Sequence, residues 1–178
     1  MTTSTRRRAL AFAAVAALTT SGAAMAQNTA QSAAQNAAQN AAQSAANSAD
    51  GLIKVRSAYP MDETIRRIRE DIASKGIMFF QAVDQAKLAA AAGITLRPST
   101  LLEFGNPPLG AQFLTSNPYS GLDWPVRVLV LEDAQGAVWA AYTDFAWIAR
   151  RHGIADRQAQ FAMASGVVES ITASVRAR

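Results

Sequence analysis

Apolar and polar positions alternate along Leu52-Ile53-Lys54-Val55-Arg56-Ser57, which predicts a strand with one buried face. The period then changes. Behind Pro60, the residues Met61, Ile65, Ile68 and Ile72 recur at helical spacing, with Asp62 and Glu63 in the first turn, where carboxylates favour the positive end of the dipole. Gly76 ends this predicted helix. Its other face carries Arg66, Arg67, Arg69, Glu70 and Asp71, which reads either as a solvated face or as an anion-binding surface. Ile77-Met78-Phe79-Phe80 and Val83 predict a second strand, and Asp84 is placed to cap a helix from Gln85 to Ala92, before Gly93. A third strand is expected from Leu96 to Phe104. Pro98 inside it has no N–H for a ladder and argues for an edge position or a bulge.

Beyond Phe104 the periodicity stops. Gly105, Asn106, Pro107, Pro108 and Gly110, then Asn117-Pro118, Gly121 and Trp124-Pro125, predict a long loop. Such loops are uncommon in compact domains and often bind ligands; the alternative is an irregular cover over the sheet. Val126 to Leu131 and Val138 to Tyr142 are apolar at nearly every position and are joined by a turn, so an antiparallel hairpin of interior strands is expected. Asp144 should cap a short helix from Phe145 to Arg151. Asp156 should cap the last helix, whose buried stripe is Phe161, Ala164, Val168, Ile171 and Val175. The order predicts the α+β class: one small domain, β-α-β-α-β-β-β-α, with a mainly antiparallel curved sheet of about five strands and helices packed on one face.

Composition divides the chain into three. Residues 1–26 have the form of a secretory signal: Arg6-Arg7-Arg8, the apolar Ala9 to Leu18, and the small-x-small site Ala24-Met25-Ala26. The apolar run falls far short of the ~20 residues of a bilayer span, so the expectation is cleavage, a periplasmic or secreted product, and no stable membrane span. Ser4-Thr5-Arg6-Arg7-Arg8 also fits the twin-arginine route beside the general secretory one. Residues 27–50 are a low-complexity Ala/Gln/Asn spacer with too little apolar bulk to offset its ordering entropy, although a fraying helix suits its composition. The α+β domain then occupies residues 51–178. Without Arg6, Arg7 and Arg8 the count of Lys and Arg falls from 17 to 14, against 13 Asp and Glu. That near-neutral balance argues against a nucleic-acid partner, which needs clustered basic charge. There is no cysteine, so export brings no disulfide and stability must come from a core.

Candidate chemistry is sparse. His152, the only histidine, ends a helix in Arg150-Arg151-His152-Gly153 and reads as a general base, a metal ligand or a cation-favouring helix end. One histidine without cysteine is a poor zinc set, so no metal and no cofactor is expected. Asn106 either hydrogen-bonds a ligand, with Pro107 fixing the backbone behind it, or closes a local turn. Tyr142 and Asp144 stand at the end of the last strand, where they would share one mouth with Asn106, Pro107 and Arg127 if the chain brings them together; otherwise they are a half-buried aromatic and a helix cap. Trp124, Trp139 and Trp147 suit ligand stacking or a core. No phosphate loop, nucleophile elbow or dinucleotide fingerprint occurs, and no catalytic residue is assigned.

The landmarks Asp84 with Ala86, Gly93, Leu96-Arg97-Pro98, Phe104-Gly105-Asn106-Pro107, Gly110, Gly121-Leu122-Asp123, Pro125, Gly136, Trp139, Tyr142, Asp144 and Arg151-His152-Gly153 together resemble the bacterial "domain of unknown function 302" family. The resemblance spans roughly Ile53 to Ile154. It implies a compact domain with a small curved sheet and a tendency to dimerise, and it implies no established reaction. Family members often have Asp-His where this chain has Asp84-Gln85, Gly-Thr where it has Gly110-Ala111, and Tyr-Asn-Asp-Pro where it has Tyr142-Thr143-Asp144-Phe145. A site built on that absent histidine would be impaired here. The leading expectation is an exported, non-enzymatic domain binding a small ligand or an envelope protein, as a homodimer. The alternatives are an enzyme of unknown class using the Phe104–Pro107 loop with Tyr142, Asp144 and His152, and a structural role in the cell envelope.

Overall fold

The computed structural model describes residues 50–176. The expected signal at residues 1–26 and nearly all of the spacer at residues 27–50 lie outside the described residues. The chain runs β1 (Leu52–Arg56), α1 (Met61–Ser74), β2 (Met78–Asp84), α2 (Gln85–Ala91), β3 (Ser99–Gly105), α3 (Pro107–Ser116), a 3-10 turn (Pro118–Asp123), β4 (Val126–Glu132), β5 (Val138–Thr143), α4 (Phe145–Arg151) and α5 (Gln158–Ala173). All strand pairs are antiparallel, in the order β1-β5-β4-β3-β2. The α+β class and the five strands are as expected, and α3 is an added helix.

Register explains the core. Ile53, Tyr142, Val128 and Leu102 form one row across the sheet, and Val55, Ala140, Val130 and Thr100 form the next. Successive residues point to opposite faces, so both rows share a face. Against it lie Ile68 and Ile72 of α1 and the predicted stripe of α5, all buried. Full burial of such side chains is worth about 1.5–3 kcal/mol each, which makes this face the main source of stability.

Three local expectations change. Pro98 stands before β3 and not inside it, and β3 is interior. The Pro98 carbonyl accepts the Glu132 N–H at 3.0 Å, and no ladder bond requires the missing amide. The irregularity lies instead in β2, between Phe79 and Gln81, where Phe80 is exposed. The predicted long loop is largely helical, because Asn106 and Asn117 supply N-caps and Pro107 and Pro118 occupy first-turn positions that need no N–H. Asp156 does not cap α5, whose N-cap position is Arg157. Its carboxylate takes the Ser116 hydroxyl and the Arg157 guanidinium, tying the end of α3 to the start of α5.

A small buried network fixes the entry to α1. The Tyr59 N–H donates to Ser57 Oγ at 3.1 Å, and the Thr64 hydroxyl donates to the Tyr59 carbonyl at 3.1 Å. Thr64 has then spent its proton, so the 2.6 Å contact between the hydroxyls runs from Ser57 to Thr64. Thr64→Val should cost about 1–3 kcal/mol of unfolding free energy in urea, because it leaves buried polar partners unsatisfied at nearly constant volume. A cost near zero would show that the network contributes little.

Candidate functional site

The Phe104-Gly105-Asn106-Pro107 box turns β3 into α3. Phe104 is buried in the core. A Cβ on Gly105 would lie 2.3 Å from the Trp124 ring, and one on Gly110 would lie 2.4 Å from it. Both glycines are therefore required by contact: they form the seat of the indole. Asn106 caps α3 by accepting the Leu109 N–H at 3.3 Å. The turn role expected for Asn106 and Pro107 is thus realised as a helix start. The Asn106 Nδ2 donates to nothing among the described residues, so the same side chain keeps two hydrogen-bond donors.

Beside this seat lies an apolar cavity of about 470 Å³. Leu109 and Phe113 of α3, Trp124, Val126, Phe145 and α5 line it, and it is open to solvent along the exposed Ala162, Gly166 and Ser170. On α5 the lining positions Ala162, Gly166 and Ser170 are four residues apart and share one helical face, a small-residue strip beside the bulkier lining residues Met163 and Val167. A Cβ on Gly166 would meet nothing within 4 Å. The polar groups on the lining are Asn106, Ser170 and Lys75, whose ammonium is held by Asp71.

The other predicted residues lie elsewhere. Arg127 and His152 converge on Asp123, whose side chain is only 4% exposed. The His152 Nε2 donates to Asp123 Oδ2 at 2.6 Å, Arg151 Nη1 donates to both oxygens at 3.0 and 3.1 Å, and Arg127 Nη2 donates to Oδ1 at 3.2 Å. The His152 carbonyl also accepts from Asn117 Nδ2 at 2.8 Å. Its ring is 6% exposed and lines neither the cavity nor the open face of the sheet. The helix-end role of His152 is therefore joined by a carboxylate lock 29 residues away in sequence. Tyr142 packs on the core face beneath α5, and burial, reinforced by the charge of Glu169, pushes its hydroxyl up to about 12. Asp144 caps α4 through the N–H groups of Ala146 and Trp147. Asn106 and Pro107 thus belong to one region and Arg127 and His152 to another; Tyr142, though buried on the core face, also lines the cleft at Arg127, and Asp144 is a helix cap.

The sequence pattern pointed to neither Asp123 nor Arg151 as a site residue, and offered Trp124 only as one of three tryptophans suited to stacking or a core. Asp123 and Arg151 were visible only as landmarks of the resemblance, since a contact between residues 28 apart leaves no local pattern. Among the described residues, no cluster of three or more His, Cys, Asp or Glu side chains could hold a metal ion.

Gly110→Ala should destabilise the fold by about 1–3 kcal/mol through overpacking against Trp124, whereas Gly166→Ala should be neutral or stabilising by up to about 1 kcal/mol in the same denaturant titration. An unfolded tyrosine ionises near 10, so folding retains the Tyr142 proton between about 10 and 12. Its contribution is full below 10 and is lost as pH rises through 12. Tyr142→Phe should flatten that part of the stability–pH curve, and an unchanged slope would contradict the assignment.

Comparison with known proteins agrees with this architecture. The solved structure "uncharacterized conserved protein DUF302" from Bacillus stearothermophilus superposes with a TM-score of 0.65 at 18% identity, covering 71% of this chain and 98% of that one, and shows the same fold. Curated proteins named fluoride-specific ion channel FluC 1 from Brucella suis biovar 1 and Brucella abortus biovar 1 are each 39% identical over 104 residues. That match covers 58% of this chain but only 41% and 38% of those proteins. No helix among the described residues is long and apolar enough to cross a membrane. The family described as Domain of unknown function DUF302 matches residues 53–172, and the chain belongs to it.

Proposed function

We propose that this chain is an exported, non-enzymatic domain that binds a small, mainly apolar molecule between Trp124 and α5, and that it acts as a homodimer. The cavity beside the Phe-Gly-Asn-Pro box carries the reading. At about 470 Å³ it falls within the roughly 300–1,000 Å³ of small-molecule sites. Its lining is apolar, and the unspent Asn106 amide supplies a donor for one acceptor atom on the ligand. Export rests on the pattern of residues 1–26, and self-association on the family resemblance together with the exposed Met78 and Phe80 of the edge strand β2. Fluoride conduction belongs to relatives of which this chain spans about two fifths.

Phenylnaphthylamine, a neutral fluorescent probe, tests the cavity directly. Gly166→Leu should weaken its binding about tenfold or more, a change of about 1.4 kcal/mol, while leucine is a better helix former than glycine and keeps α5 intact. Unchanged binding would remove the cavity from the account. Turnover of any substrate that Asn106→Ala abolished without unfolding the chain would overturn the non-enzymatic reading.

A further inference from the structure

We propose that a second site, on the sheet face opposite the core, takes a small organic carboxylate with an apolar or aromatic body. Leu101, Leu129 and Ala141 form one row across β3, β4 and β5. They floor an open cleft of about 510 Å³, with Trp147 of α4 on its wall. Since side chains alternate along strands, the face turned away from α1 and α5 would ordinarily be polar. Here its centre is apolar and one end is cationic.

The cationic end is already built. Arg127 and Arg151 both line the cleft, and each is held by the buried Asp123 carboxylate. Arg127 uses only Nη2, which also donates to the Leu122 carbonyl at 2.9 Å, and Arg151 uses only Nη1. Their remaining guanidinium nitrogens donate to nothing among the described residues, and the side chains are 43% and 42% exposed. Two guanidiniums around one carboxylate leave uncompensated positive charge. Asp50 at the rim opposes it in part, and Glu103, opposite Arg127 in register, accepts a hydrogen bond from Gln81. The planar fork of arginine matches a carboxylate bidentately. Because Asp123 already orders both forks, a ligand costs little further side-chain entropy on binding. The body of the ligand then meets Trp147, whose ring lies 5.3 Å from the Arg151 guanidinium carbon, and the leucine floor. The cleft shares no lining residue with the cavity between Trp124 and α5.

Calorimetric titration of the whole chain with phenylacetate tests it, with phenylacetamide and inorganic phosphate as parallel arms. Saturable phenylacetate binding is expected, weakened about tenfold or more by Arg127→Gln and by Arg151→Gln. Phenylacetamide binding as tightly would overturn the charge argument, phosphate binding as tightly would overturn the apolar body, and the absence of saturable binding would overturn the site. Should either arginine variant melt early, Leu52→Glu provides the answer, since Leu52 lines the cleft yet is exposed on the edge strand β1. The added negative charge should weaken phenylacetate binding about tenfold, and unchanged affinity would overturn the proposal.

Discussion

The packing of one indole ring against two glycines organises the functional end of this domain. Trp124 occupies the volume where Gly105 and Gly110 would carry a Cβ. Because interiors are packed to crystal-like density, such a contact tolerates little displacement. It fixes where β3 ends and α3 begins, and it forms one wall of the apolar cavity. The Phe-Gly-Asn-Pro box follows from that geometry: Phe104 anchors in the core, Gly105 admits the ring, Asn106 caps and Pro107 starts the helix.

The same device appears at the other side of the sheet. Gly51 has φ +67°, and a Cβ there would fall 2.6 Å from the Trp147 ring. Trp147 is thereby held against β1 while its neighbour Arg151 reaches Asp123. Asp123 itself follows directly from the Trp124 seat, since it is the residue before Trp124 and closes the 3-10 turn. A buried carboxylate surrounded by two arginines and a histidine is retained only when each oxygen is hydrogen-bonded, and here both are. Removing Asp123 would therefore disturb more than one side chain. The packing constraint and the charge network share one turn of chain.

Elements whose signal is local were legible in the sequence. The stripes Ile68/Ile72 and Phe161/Ala164/Val168/Ile171 are written at helical spacing, and both are buried as that spacing requires. The hairpin of β4 and β5 was equally plain, as were the caps by Asp84 and Asp144. The segment after Phe104 misled because its prolines and glycines are loop formers by composition, yet prolines sit at first-turn positions and Gly110 inside α3 answers to Trp124 rather than to helix propensity. The candidate site was half legible. Asn106 and Arg127 line concavities, but each lines a different one, and the partners that give them meaning, Trp124 and Asp123, act through contacts that no periodicity encodes.

The measurement that tests this account most directly is a double-mutant cycle on unfolding free energy between Gly105 and Trp124. If the ring is what the glycine accommodates, Gly105→Ala should be costly alone but should add almost nothing to Trp124→Leu, giving a coupling of about 1 kcal/mol or more. Additive costs would mean that Gly105 serves the backbone and not the indole, and the organising role assigned to Trp124 would fail.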